Sequence, residues 1–192
     1  HRKHFFFTIV LIAGLLGAAT ALVAQKRIII GAPLATAFLY GWDAERGIKL
    51  AVDEINAAGG VKVGDEKRPF QVEVIDTRDL EPGVPVSEAL LALEKLILEK
   101  KADFIIGGPI RSEAALAAMP LLAKHTKVSI LTTGSLAPKY NEIIAQNPDK
   151  IKYCFRISGE SKWMVMGEFV PCLEEIGKNF GLNRLAIMVQ DV

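Results

Sequence analysis

The sequence predicts an α/β fold built on a doubly wound parallel sheet. Three observations carry this. Short apolar runs of strand length recur along the chain, longer segments with helical periodicity separate them, and several runs are β-branched and apolar on both faces, as strands covered on both sides should be. Helices between such strands call for right-handed βαβ crossovers.

The strand candidates, in order, are Arg27–Ala32 (RIIIGA), Gln71–Asp76 (QVEVID), Phe104–Gly107 (FIIG), Val128–Thr133 (VSILTT), Tyr153–Ile157 (YCFRI) and Arg184–Val189 (RLAIMV). The first helix, Gly47–Gly60, carries Ile48, Ala51, Val52 and Ile55 on one face and closes on Gly59 and Gly60, which can take the left-handed conformation. "VKVGDEKRPF" is then expected to be a polar turn into the second strand. Val86, Leu90, Leu93 and Ile97 form the stripe of the next helix, with Pro85 suited to its start. A third helix runs from Ser112 towards His125; Pro120 inside it is expected to kink or shorten it.

With 51% hydrophobic residues and a formal net charge of +1 over 192 residues, the chain has a globular composition and can bury a core. It offers no broad basic surface and no zinc-finger spacing, which excludes nucleic acid as a partner. Residues 1–24 have the layout of a secretory signal: a basic start (HRKH), an apolar middle and a small-residue exit, with Ala21 fitting the cleavage rule better than Ala24. The alternative is a permanent anchor, since Phe5–Ala24 is long enough to span a bilayer core as a helix. On either reading, the chain beyond Gln25 is exported, to the periplasm or the outer face of the cytoplasmic membrane, and touches the membrane only through this segment. The first residue is His1 rather than methionine, which suggests that a few residues precede it. Cys154 and Cys172 are expected to be two separate buried thiols.

In an open parallel sheet, ligands bind beyond the carboxyl ends of the strands. Three loops fall there. The first strand leads into "PLATAFLYGWDAERG", which supplies Thr36, Tyr40 and Trp42; the two rings either stack on a ligand or pack beneath the loop. The third leads into "GGPIRSEA", where Gly107 and Gly108 turn the backbone and Ser112 opens a helix. Ser112 is expected to cap that helix, while neighbouring N–H donors and Arg111 attract an anionic group. The fourth leads into "TTGSLAP", where Thr132, Thr133 and Ser135 surround Gly134, with Leu136 next, a setting for a small polar ligand or a plain turn.

There is no G-x-G-x-x-G, no G-x-x-x-x-G-K-[ST] and no G-x-S-x-G. Of the three histidines, two lie in the signal, and His125 is read as a dipole partner at a helix end. No catalytic residue, metal ligand or cofactor is assigned.

With these loops placed, the chain from about Lys26 onward resembles the extracytoplasmic solute-binding proteins of ABC transporters, in the branched-chain amino-acid (leucine/isoleucine/valine) type I family. Five segments carry the resemblance in register: "IIIGAPLATAFLYGWDAERGIKLAVDEINAAGGV", "FQVEVIDTRDLEP", "KKADFIIGGP", "VSILTTGSLAP" and "YCFRISG". It implies the periplasmic binding protein-like I fold, two α/β lobes joined by a hinge with ligand in the cleft and permease subunits as partners. Lobe one would occupy 25–157. The crossing would fall near Ser158–Glu160, and 158–192 would add the first helix and strand of lobe two before the chain stops. Its carboxylate-binding donors would fall at Arg111 and Ser112 and at Gly134, Ser135 and Leu136. Family members that bind α-amino acids usually have a hydroxyl residue where Leu136 stands and small hydroxyl residues in place of Pro109 to Arg111. Either Arg111 replaces the missing donor, or the ligand is an aromatic acid, an amide or another small organic solute. A rival role on the same fold is the extracellular sensing domain of a membrane receptor; an exported enzyme ranks last, for want of a nucleophile or base.

Overall fold

The structure is a computed structural model and describes residues 26–132 and 134–187. The residues read as a signal or anchor lie outside the described ones. Five parallel strands form the central sheet: β1 (Ile28–Leu34), β4 (Phe70–Asp76), β5 (Phe104–Gly107), β6 (Val128–Leu131) and β7 (Cys154–Arg156). Their order is β4-β1-β5-β6-β7. The helices are α1 (Leu39–Ala57), α2 (Val86–Leu98), α3 (Ser112–Lys124) and α4 (Pro138–Gln146). A final helical segment comprises α5 (Ser161–Met164), a π-helical turn at Val165–Phe169 and α6 (Val170–Phe180).

The doubly wound prediction holds, and the strand order explains why. The chain moves outward from β1 to β4 through α1, then jumps back over β1 to β5 through α2. Right-handed crossovers in opposite directions must lie on opposite faces of the sheet. On the α2 side, Leu93, Leu96, Ile105, Met119, Leu122, Leu131 and Tyr140 form one buried cluster. Gly31 is required there: a Cβ would lie 2.9 Å from Ala102 Cβ and from Ile105 Cδ1. Among the described residues, the opposite face carries only α1. Over β5 and β7 it stays open, with Phe104 39% and Phe155 51% exposed. An apolar hollow of about 440 Å³ lies between α1 and this face, lined by Ile30, Ile48, Val52, Phe70 and Ile106 among others.

Several expectations need correction. "VKVGDEKRPF" is not only a turn: Val61–Val63 (β2) and Glu66–Arg68 (β3) pair antiparallel around Gly64–Asp65, with Gly64 at φ +62. A two-residue loop opening on glycine is a hairpin signal that was present in the sequence. Pro120 does not shorten α3, which runs through it to Lys124. Only one backbone N–H is lost there, and the buried face of Ala115, Ala118, Met119 and Leu122 holds the helix in place. Of the strand expected at Arg184–Val189, residues 184–187 are not strand, and the rest lies outside the described residues. The π-helical turn ends two residues before Pro171, whose ring would clash with the carbonyl four residues earlier in a regular α-helix.

The thiols are free, but Cys172 is exposed, not buried as expected. Burial pushes the Cys154 thiol up, opposed by its hydrogen bond with Tyr140, and burial likewise pushes the Tyr140 hydroxyl up. A thiol held protonated is a poor nucleophile. We therefore expect a thiol reagent to modify Cys172 rapidly in the native protein and Cys154 only on unfolding. Equal rates for the two in the native state would contradict the packing around Tyr140.

Candidate functional site

Because all five strands are parallel, their carboxyl ends share one rim, and the sheet reverses direction between β1 and β5. The loops at this switch point are joined by hydrogen bonds that backbone N–H groups donate. Thr77 N–H donates to Leu34 O (2.9 Å), and Thr36 N–H donates to the Asp76 carboxylate (3.1 Å), so the loops after β1 and β4 form one unit. The β5 loop presses on the same unit: a Cβ on Gly108 would lie 2.4 Å from Pro33 O.

The residue that organises this corner is Asp79, which sequence reasoning passes over. Its carboxylate is fully buried. It accepts from Thr77 Oγ1 (2.5 Å) and, through the other oxygen, from the N–H groups of Ile110 and Arg111 (2.7 Å each). Two of the backbone donors expected to await an anionic ligand are therefore held by an internal anion at the start of α3. Ser112 does not cap α3. Arg111 occupies the N-cap position, with no side-chain cap bond, and Ser112 is the first helical residue. The Asp79 carboxylate supplies the negative partner that the helix dipole favours there. The only sequence signal was an acidic turn after β4; its partner lies 31 residues further on.

Arg111 donates from Nη2 to Val84 O (3.2 Å), and its Nε lies 3.8 Å from the Glu113 carboxylate without a hydrogen-bond partner. It lines a hollow of about 740 Å³ of mixed character, with Asp79, Glu81 and Glu113 beside Leu80 and Pro82. Tyr40 and Trp42 are not in a loop: α1 begins at Leu39, so both lie in its first turn. Its start was illegible because the N-cap, Phe38, makes no side-chain cap bond. Tyr40 is 66% exposed. Trp42 carries the Arg46 guanidinium 3.7 Å above its ring and lines a separate hollow of about 330 Å³ with Thr36 and Leu39.

The two donor loops do meet. Ser135 N–H donates to Ile110 O (2.7 Å), and Gly134, at φ +66, packs against Ile110. Ser135 is buried, and its Oγ has no hydrogen-bond partner. Leu136 is the exposed member of this loop, at 39%. Thr132 faces the α1 side hollow, and Thr133 lies outside the described residues. Thus the structure joins Arg111, Gly134, Ser135 and Leu136 along one rim, and places Tyr40 and Trp42 on the neighbouring helix end. From β7, Arg156 reaches the same loop; burial lowers its pKa from the ordinary arginine value, opposed by Glu160. Among the described residues, no group of His, Cys, Asp and Glu could hold a metal ion.

A sheet of order β4-β1-β5-β6-β7 with its polar loops gathered at the switch point defines a doubly wound fold of the class that binds ligands at the carboxyl rim. Comparison with known proteins narrows this: a family model described as periplasmic binding protein matches residues 33–181, and the chain belongs to that family. Among solved structures, a protein from Silicibacter pomeroyi assigned as a branched-chain amino acid ABC transporter is similar at 23% identity and TM-score 0.64, over 81% of this chain and 37% of its own. An ABC transporter substrate-binding protein from Sphaerobacter thermophilus is similar at 22% identity and TM-score 0.56, over 81% and 38%. A solute binding protein of an ABC transporter from Rhodopseudomonas palustris BisB5, in complex with 3,4-dihydroxybenzoic acid, is similar at 20% identity and TM-score 0.53, over 78% and 36%. At such identities the likeness concerns the fold. The chain spans well under half the length of these structures. No curated protein matches it.

Proposed function

We propose that this chain is the first lobe, and the start of the second, of an extracytoplasmic solute-binding protein that delivers a small polar solute to an ABC transporter. The observation that carries the reading is the fusion of four loops at one rim: β1 to β4 through Thr36–Asp76, β4 to β5 through Asp79–Ile110, and β5 to β6 through Ser135–Ile110. A rim tied in this way is a rigid, pre-organised wall, which lowers the ordering cost of binding. A ligand held between this wall and a second lobe would stabilise the closed form, and closure is the signal that a permease can read. Family membership supports an extracytoplasmic site of action, as does the secretory layout of residues 1–24. No described helix is long and apolar enough to cross a membrane.

In this reading 25–157 is lobe one, and the chain crosses near Ser158–Glu160. The segment beyond it presents Trp163, Met166, Phe169 and Phe180 as exposed apolar side chains, a surface suited to packing in another layer. Arg111 is the charge nearest to an anionic solute at this rim: its side chain is 30% exposed and lines the hollow beside Asp79. Tyr40, Trp42, Ser112, Gly134, Ser135 and Leu136 complete the candidate set, the buried Ser135 by holding the loop and the exposed Leu136 by facing the solute.

A thermal-shift screen of the full-length mature protein against amino acids, aromatic acids and amides tests the reading. For a carboxylate that stabilises the protein, Arg111→Ala should weaken affinity about tenfold, the loss of one charge-assisted contact. Affinity unchanged in that variant would remove Arg111 from the site, and a screen in which no solute raises the melting temperature would count against the function itself.

A further inference from the structure

Arg156 is the last residue of β7, immediately before the chain leaves the sheet. Its guanidinium donates from Nη1 to Ala137 O (3.0 Å), from Nη2 to Ser135 O, and from Nε to Ser158 Oγ (3.3 Å). Between the first two acceptors, Leu136 O takes the backbone N–H of Ser161 (2.9 Å). Three consecutive carbonyls of the rim loop are thus held by donors from residues 156–161. Asn141 Nδ2 adds a bond from α4 to the Glu160 carboxylate (2.6 Å). The guanidinium carbon lies 5.6 Å from the centroid of the buried Tyr140 ring. The fork therefore packs beside a fixed aromatic surface.

We propose that Arg156 is a positioning residue that couples the Gly134–Ala137 rim loop to the Ile157–Ser161 segment, so that movement of that segment is transmitted to the rim and contact at the rim is felt where the chain leaves the sheet. The coupling gains its functional meaning from the reading of Ser158–Glu160 as the crossing between lobes. The chemistry explains the choice of residue. A planar guanidinium can serve Ser135 O, Ala137 O and Ser158 Oγ at once with fixed angles, whereas a lysine ammonium is a compact point charge whose three donors share one nitrogen on a flexible stem. On its other side the loop is anchored by Ser135 N–H to Ile110 O, and Ile110 is itself held by Asp79, so the coupling by Arg156 ends at the β6 loop.

Hydrogen exchange read by mass spectrometry on the full-length protein, without ligand, tests this. Arg156→Lys should speed exchange about tenfold in peptides covering both 134–137 and 157–161, the effect of losing one charge-assisted bond. Peptides covering 108–111, held independently by Asp79, should keep their wild-type rates. Ser161→Pro provides a second variant that leaves Arg156 in place. Proline is tolerated at the first helical position, and Glu160 already has the extended conformation that a residue before proline needs (φ −123, ψ 135). The change removes the donor to Leu136 O and should speed exchange at 134–137. A rise spread over all peptides would mean a purely structural role, and a rise at 157–161 with 134–137 unchanged would mean no coupling; either overturns the proposal. If Arg156→Lys fails to fold, wild-type rates at 134–137 in Ser161→Pro do the same. No ligand enters the measurement, so a screen without a binding solute would overturn the proposed function and leave this result to be judged separately.

Discussion

Asp79→Ala is expected to cost the protein about 3–5 kcal/mol, the range for breaking a buried charged contact so that its partners are left unpaired. The carboxylate satisfies Thr77 Oγ1 and the N–H groups of Ile110 and Arg111, and alanine leaves all three without it. The loss should be concentrated in the loop after β5, because that loop has no comparable tie to β4. Asp79→Asn keeps one oxygen for the two N–H groups and can donate to Thr77 from its amide, so its cost should be only about 1–2 kcal/mol. Glu113→Ala, on the exposed side of the same corner, should stay within about 0.5 kcal/mol of wild type. Urea unfolding of the three variants checks the order. A loss below about 1 kcal/mol for Asp79→Ala would show that water or another group replaces the clamp.

Gly134→Ala is expected to cost about 3 kcal/mol, from two sources. Gly134 sits at φ +66, where an L-residue with a Cβ is strained by about 1–2 kcal/mol. The added Cβ would also lie 2.2 Å from Ile110 Cγ2 and 2.8 Å from Ile110 O. Relief by movement is restricted, since Ser135 N–H is bonded to that same carbonyl. Truncating Ile110 removes one of the clashes, so the double variant Gly134→Ala/Ile110→Ala should lose less than the sum of the singles. Gly47→Ala is the contrasting case: its Cβ meets nothing within 4 Å in the interior of α1, and it should stabilise by about 0.5–1 kcal/mol. Thermal or urea unfolding separates these outcomes, and simple additivity in the double variant would contradict the close approach of the two rim loops.

Much of the architecture was legible because it depends on periodicity over a few residues. β5 has the predicted boundaries, α2 starts directly after Pro85 as the fixed φ of proline suggests, and the alternation of strands and helices requires the parallel sheet. The errors come from signals that the local pattern lacks. The first turn of α1 has no capping residue, so local pattern alone places Tyr40 and Trp42 in a loop. β2 and β3 are three residues each, too short for an alternation to stand out, although Gly64–Asp65 marked their turn. Ser112 has the right residue type for a cap but the wrong position by one, because the acceptor that settles the corner comes from β4's loop.

The candidate site divides in the same way. Glycines and hydroxyls at 107–112 and 132–136 could be recognised as rim loops from their place after apolar strands, and the family's motifs lie in them. What could not be read was which groups inside those loops remain available. Asp79 takes two N–H donors from 31 and 32 residues away, Arg156 takes two carbonyls from 19 and 21 residues away, and Ser135 is turned inward.

The amino-acid sequence alone determined the alternation of strands and helices, hence the doubly wound class and the edge of the sheet where loops gather. Both come from hydrophobic period and from the handedness of the crossover, which are properties of short stretches of chain. Only the tertiary structure decided which polar groups at that edge are already paired with one another. A buried carboxylate or guanidinium chooses its partners by distance in space, and no spacing along the chain encodes that distance.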